Sequence, residues 1–296
     1  MKEKSINRSF LFVFVFLLFL NQGFSQNFDT INIKTTQVAG SVYMLEGFGG
    51  NIGVLAGPDG IILVDDQFVQ LTDKIKKALA FLSNKSVKFI INTHYHFDHS
   101  DGNKTFGGEG AIIVAHENVR KRLTTGQLIK TFNMEQKAYP ANALPVITFD
   151  ESVTFNINNE TVQVFHVKNA HTDGDAIIYF KESNVMHTGD VFVRYGLPFI
   201  DMAAGGNVDG MLAAIDLLLS QVNDKTIIIP GHGQLSNKKD MQHYKDMVET
   251  VRTRVADGIK SGKTVDQIID SDPAKEYNTI FDKREFVRIV YETIKK

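Results

Sequence analysis

The sequence predicts an α/β (α+β) fold in which two β-sheets pack face to face with helices on their outer sides. Three observations predict it. Short apolar strands separated by turn residues come in two runs, at 31–64 and 153–187. Each run is followed by a stretch with apolar residues at helical spacing. From Asn237 onward the pattern is helical, which supplies more cover for a sheet.

Residues 31–38, 42–45, 52–56 and 61–64 read as strands, with Gly57-Pro58-Asp59-Gly60 as a hairpin turn between the last two. Phe48-Gly49-Gly50 is either a mobile flap over a site or a glycine-rich turn. Leu71, Ile75, Ala78, Leu79 and Leu82 fall on one helical face, and 87–92 is a strand. A short strand at 111–114 precedes a helix at 117–123, with His116 at its start as a cap or surface residue rather than a ligand. Residues 124–147 hold no strong period and read as a surface loop or lid.

The second run comprises strands at 153–157, 161–167, 176–180 and 185–187. Val208, Met211, Ile215, Leu218 and Val222 then mark an amphipathic helix with Asn207 as its N-cap, and 226–230 is a buried strand. Met241, Tyr244, Val248, Val251, Val255 and Ile259 recur every three or four residues, and 286–294 is another helix. Such stripes serve mainly to cover a sheet; a dimer contact or a wall of a substrate cleft are their other uses.

Composition is that of a globular protein, 43% hydrophobic and 22% charged over 296 residues. A net charge of −2 excludes an electrostatic grip on nucleic acid. Residues 1–25 have the layout of a secretory signal peptide: Lys2, Lys4 and Arg8, an apolar run at 10–20, then Gly23-Phe24-Ser25 before a cut ahead of Gln26. The apolar run is too short to span a bilayer, which takes roughly 20 residues. The expectation is therefore an exported chain, periplasmic or secreted, with no membrane anchor after cleavage. There is no cysteine, so thiolate is excluded as ligand or nucleophile, and any site is built from His and carboxylate.

One stretch concentrates the chemistry. His94, His96, Asp98 and His99 lie within six residues of one another. A strand would put His99 on the opposite face from the other three, and a helix would fan all four around its axis, so a loop leaving the 87–92 strand must gather them. Three imidazoles and a carboxylate suit zinc. Three further segments end a strand with a candidate ligand beside small or turn-forming residues: His171-Thr172-Asp173-Gly174, His187-Thr188-Gly189-Asp190 and Pro230-Gly231-His232-Gly233.

Together these segments resemble the metallo-β-lactamase superfamily, over about residues 35–236. The resemblance implies a four-layer αββα sandwich of the metallo-β-lactamase type over residues 30–236, with 237–296 as a C-terminal helical extension packed on the same domain. By matching position, it implies His94, His96 and His171 as a first zinc site and Asp98, His99 and His232 as a second, two Zn²⁺ per chain. Asp190 would bridge the ions, Asp98 would act on the attacking water, and Asp65 would support the ligand loop from behind. His166 and His187 read as packed core histidines and His243 as solvated. Asp173 and Asp175 are either partners of the ligands or turn caps.

The implied activity is hydrolysis of an acyl C–N, C–O or C–S bond in a small molecule, a β-lactam or related cyclic amide or ester leading. The pattern departs from the commonest β-lactamase subclass, which has cysteine at the place of Asp190 and no histidine at 99. An aspartate bridge is more typical of hydroxyacylglutathione hydrolases and lactonases. A thioesterase or lactonase is thus the alternative, as is a mononuclear iron persulfide dioxygenase.

Overall fold

Alternation along Gly60–Val64 sets the layering. Ile62 and Val64 belong to the core between two sheets, while Ile61 and Leu63 are buried on the opposite face. A sheet buried on both sides must sit inside, and the computed structural model, which describes residues 27–129 and 134–295, places it there. The reading of residues 1–25 as a signal peptide lies outside the described residues.

By their contacts residues 1–31 and Asn32–Lys296 form two units. Of the first, only 27–31 are described, a 3-10 turn at Phe28–Thr30 capped by Asn27.

In the second unit, β1 (Lys34–Ala39), β2 (Val42–Glu46), β3 (Ile52–Gly57) and β4 (Gly60–Val64) form an antiparallel meander. Helix α1 (Thr72–Ala80) leads to β5 (Val87–Ile91), parallel to β4, and β6 (Ile112–His116) adds in parallel beside it. After α2 (Glu117–Thr124) come an antiparallel pair, β7 (Gln127–Ile129) and β8 (Met134–Gln136), and then β9 (Ile147–Phe149). Strand β9 completes a seven-stranded sheet in the order β1-β2-β3-β4-β5-β6-β9.

The second sheet has five strands: β10 (Ser152–Ile157), β11 (Glu160–His166), β12 (Ala176–Phe180), β13 (Val185–His187) and β14 (Ile227–Ile229). The first four pair antiparallel, and β14 returns parallel to β13 after α3 (Val208–Gln221). The chain ends in α4 (Lys238–Lys260), α5 (Val265–Asp270) and α6 (Lys283–Lys295).

Two cores hold the layers. Between the sheets, Val42, Leu55, Ile62 and Ile91 meet Val162, Val164, Ile178 and Ile229. On the outer face of the second sheet, Ile177, Met186 and Ile228 meet Met211 and Ile215 of α3, Val248 and Val251 of α4, and Phe286 and Val290 of α6. The C-terminal helices therefore share a core with the second sheet. No helix among the described residues is long and apolar enough to cross a membrane.

The boundaries differ from the sequence reading in small ways with identifiable causes. Strand β1 starts at Lys34, where pairing with Glu46 begins. The aperiodic stretch 124–147 holds β7 and β8 and ends where β9 begins, each strand only three residues long and too short to show a period. His116 caps α2 by accepting from the Asn118 N–H at 3.2 Å, but it is buried, its ring stacked on His166 at 3.8 Å.

Candidate metal centre

Every candidate ligand, and Asp65 behind them, follows the carboxyl end of a strand. Asp65 follows β4, the 94–99 stretch follows β5, Asp190 follows β13 and His232 follows β14, so two pairs of parallel strands point at one edge. His171 sits in the turn between β11 and β12. Such edges are where open α/β sheets place ligands. Asn51 ties the two sheets there: its backbone N–H donates to the Gly231 carbonyl at 2.7 Å and its side chain to the carbonyls of Pro230 and Gly233 at 2.9 and 2.7 Å.

The structure brings all seven predicted ligands together. His94, His96 and His171 form one group of converging donor atoms, and Asp98, His99 and His232 another, while Asp190 groups with His94 and His99. His96 Nδ1 lies 3.1 Å from His94 Nε2 and 2.9 Å from His171 Nε2. Two nitrogens bound tetrahedrally to one zinc at about 2.05 Å would sit about 3.3 Å apart. In the second group His99 Nε2 is 3.2 Å from His232 Nε2, and Asp98 Oδ2 is 3.4 Å from the latter. Asp190 stands between the groups: its Oδ2 is 3.8 Å from His171 Nε2 and 3.4 Å from His232 Nε2, and its Oδ1 is 3.2 Å from His99 Nε2.

The outer ring nitrogens show which way the lone pairs face. His171 Nδ1 donates to the Phe199 carbonyl at 2.9 Å, His99 Nδ1 to Asp65 Oδ2 at 2.8 Å, and His96 Nε2 to Asp201 Oδ2 at 3.1 Å. Thr93 Oγ1 gives its own proton to Asp65 Oδ2 at 2.7 Å, so it accepts from His94 Nδ1 at 3.0 Å. In its neutral form, the one that can bind a metal, each of these rings spends its one N–H outward and turns a bare nitrogen inward. Bare nitrogens facing one another about 3 Å apart repel unless a cation lies among them. Asp190 Oδ1 fits the same account: it is buried and receives no hydrogen bond, despite its nearness to His99. The donor set thus fits metal ions of the zinc type, held through outward-pinned histidines.

Charge points the same way. Burial pushes His171 down to about 4, and burial, reinforced by the neighbouring imidazoles, holds His94 well below its usual range. Burial would lower His99 and His232 too, but the Asp190 and Asp98 carboxylates outweigh it and raise both. Burial likewise opposes the charge on Asp190, yet His232 and His99 hold it well below the ordinary carboxylate range. The cluster keeps Asp190 ionised and draws positive charge.

Asp65 is placed as predicted, buried behind the ligands with its Oδ1 accepting the Thr93 N–H at 2.7 Å. His187 is a buried histidine bonded to the Asn51 carbonyl at 3.1 Å, and His166 bonds the Asp175 carbonyl at 2.8 Å. The side chain of Asp175 accepts from the N–H groups of His171 and Thr172 at 2.7 and 2.9 Å, so it caps the turn and supports a ligand at once. Asp173 instead pairs with Arg122, Oδ1 with Nε at 2.8 Å and Oδ2 with a terminal nitrogen at 2.6 Å.

Two residues at the site, Asp201 and Asn51, escaped the sequence reading, and Gly231 reads there only as a small residue beside a ligand. Asp201 holds both His96 and the Tyr95 hydroxyl, the latter at 2.6 Å; it lies in a loop with no periodicity to mark it. Asn51 precedes a strand like any polar residue. Gly231 packs so closely that a Cβ there would overlap Asp190 Oδ1; its position beside His232 was the one available signal.

A cleft of about 280 Å³ opens onto the centre, with Asp98, His96, Asp190 and His232 in its lining. The Phe48-Gly49 tip lies over it, and the β7–β8 pair contributes Ile129 and Met134.

The sandwich and the ligand cluster together define a metal-dependent hydrolase scaffold. The sequence profile of the metallo-β-lactamase superfamily matches residues 45–232, and the chain belongs to that superfamily. It is similar to metallo-β-lactamase type 2 of Bacillus cereus, 24% identical over 200 residues that cover 66% of this chain and 72% of the relative. It is also similar to a linear primary-alkylsulfatase of Pseudomonas sp., 22% identical over 259 residues covering 73% of this chain. The chain spans about half that relative's length, 48%. Among solved structures, the metallo-β-lactamase DIM-1 aligns with a TM-score of 0.58 and 16% identity, covering 74% of this chain and 99% of that one.

Proposed function

We propose that the chain is an exported zinc-dependent hydrolase that cleaves an acyl C–N, C–O or C–S bond of a small molecule, a cyclic amide or ester leading. The observation that carries this reading is Asp190, whose single carboxylate reaches toward both ligand groups. His94, His96 and His171 would hold one zinc ion and Asp98, His99 and His232 a second, with Asp190 shared. Bound zinc supplies a Lewis acid and lowers the pKa of water from 15.7 to about 7.

The chain's own residues do the rest. Asp98 is the ligand carboxylate most open to the cleft, its side chain 23% exposed against 7% for Asp190. It orients the attacking water and accepts its proton. The water oxygen adds to the acyl carbon, the bond to nitrogen, oxygen or sulfur breaks, and the proton passes to the leaving atom. Asp65, Thr93, Asp201 and the Phe199 carbonyl keep the ligand rings from turning, so the centre is organised before substrate arrives. The signal-peptide reading of residues 1–25 supports export.

The test is to purify the mature chain, measure its metals, and assay a chromogenic cephalosporin, lactones, a thioester and a primary alkyl sulfate. A chelator should abolish cleavage and added Zn²⁺ restore it. Undiminished hydrolysis after metal removal would overturn the mechanism, and iron in place of zinc would favour the persulfide dioxygenase.

A further inference from the structure

The cleft beside the metal centre is apolar on both sides. One wall sets Phe48 against Phe68 and Phe68 against Phe97, the rings tilted and each pair 5.6 Å between ring centres. The other starts at the ligands themselves: Phe199 stacks on His96 at 5.8 Å, and Phe281 lies 5.8 Å from Phe199 and 5.2 Å from Tyr195. Among the described residues that line the cleft, the charged or ionisable groups are the ligands and Tyr195; no Lys or Arg is present.

Ile280 and Phe281 come from outside the residues matched by the superfamily profile, which ends at 232. They are not loosely draped there. The Leu197 N–H donates to the Asn278 carbonyl at 2.9 Å, and the Thr279 hydroxyl donates to the Leu197 carbonyl at 3.2 Å. Thr279 Oγ1 also accepts the Phe281 N–H at 3.1 Å, which sets the direction of the last ring. Gly196 has φ +107, and a Cβ on it would overlap the Asn278 carbonyl, so this loop is shaped to receive the strap. Ile280 is 63% exposed at the rim, a large apolar side chain that the core does not require.

We propose that the non-reacting part of the substrate is an uncharged apolar chain, and that the strap Asn278–Phe281 selects it. This rests on the acyl-hydrolase reading for its chemistry but on the cleft walls for its specificity. Away from the ligands, an anionic substituent would lose its hydration against these walls without meeting a Lys or Arg among the described lining residues. An apolar chain gains about 0.8 kcal/mol per buried methylene, a factor of about four.

The test uses the zinc-loaded full chain with 4-nitrophenyl esters from acetate to octanoate, and the glutarate monoester as a charged counterpart of the pentanoate ester. The expected result is a kcat/KM that rises about fourfold per methylene until the cleft is full, with the glutarate monoester at least tenfold slower than the pentanoate ester. Ile280→Lys, a change at an exposed rim, should shrink that difference by raising glutarate cleavage and lowering that of the long esters. A flat chain-length profile, or a charged ester cleaved as fast as its neutral counterpart, overturns the proposal while leaving the hydrolase reading intact. Calorimetric titration with 1-butanol, 1-hexanol and 1-octanol reads the cleft without turnover. Affinity that grows with chain length in a protein that cleaves none of these esters, nor the cephalosporin, lactones and thioester, supports the cleft and overturns the acyl-hydrolase reading. Neither binding nor cleavage overturns the cleft.

Discussion

Asp65→Asn removes a single charge from behind the metal centre, and the hydrogen bonds around it determine the outcome. The carboxylate accepts three donors: Thr93 N–H on Oδ1, and Thr93 Oγ1 and His99 Nδ1 on Oδ2. An amide offers one acceptor and one donor group. If its oxygen takes the Oδ2 place, the NH₂ faces the Thr93 N–H, donor against donor. If its oxygen takes the Oδ1 place, the NH₂ faces His99 Nδ1 and forces that ring to carry its proton on Nε2, pointing into the second ligand group. The same flip frees Thr93 Oγ1 from donating to Asp65, and with it the tautomer of His94 in the first group. Each lost charge-assisted bond is worth about 1.5–3 kcal/mol. Loss of such an outer partner commonly costs 10- to 100-fold in metal affinity. The expectation is therefore a weakening of zinc binding at both positions, each by about 10- to 100-fold. Zinc affinity read by competition with a chromophoric chelator checks this, with Thr93→Val as the companion that removes the acceptor of His94 and one donor to Asp65 while leaving the Asp65–His99 bond in place. A folded Asp65→Asn protein that holds two zinc ions within twofold of the parent would refute the reasoning.

Asp190→Asn should weaken the second ion more than the first, because Asp190 Oδ1 faces His99 and Oδ2 is nearer His232 than His171; metal analysis showing unchanged occupancy at both positions would count against the assignment. Asp201→Ala should leave Tyr95 and His96 without their acceptor, costing about 2–4 kcal/mol in stability from buried groups left unpaired, read from denaturant midpoints, and loosening zinc at the first group while sparing the second. Zinc affinity should fall as pH falls: His99 and His232 have raised pKa values in the metal-free protein, and ligation requires them neutral. The sign is fixed by proton release on binding, so titrations in buffers of different ionisation enthalpy should show protons leaving at neutral pH, and a pH-independent affinity between 5 and 8 would contradict it.

Much of the layering and most of the centre were legible in the sequence, because both leave dense local signals. Four ligand-type residues between His94 and His99 cannot share an ordinary turn by accident of packing, and the other ligands follow short apolar strands beside small residues: Ala170 before His171, Gly189 before Asp190 and Gly231 before His232. What stayed hidden depends on distance in the chain. Asp201 is a lone aspartate 105 residues from His96, and only the fold puts them 3.1 Å apart. The strap at Asn278–Phe281 has no period and no motif, so a cleft wall could be named as one use of the C-terminal region but not located. Helix α5 does leave a local signal: Thr264 and Gln267 form a reciprocal capping box, the Ser/Thr-x-x-Glu/Gln pattern that opens a helix. His116 was readable as a cap but not as buried, since its partner His166 lies on another sheet.

The central claim is that seven side chains from four separate segments act as one binuclear centre, and metal counting tests it most directly. The full-length mature chain, purified without chelator and dialysed against trace zinc, should hold two zinc ions per polypeptide by elemental analysis. Asp190→Asn should drop that count toward one. A parent protein that binds a single ion, or binds two whose occupancy ignores both Asp190→Asn and Asp65→Asn, would contradict the account.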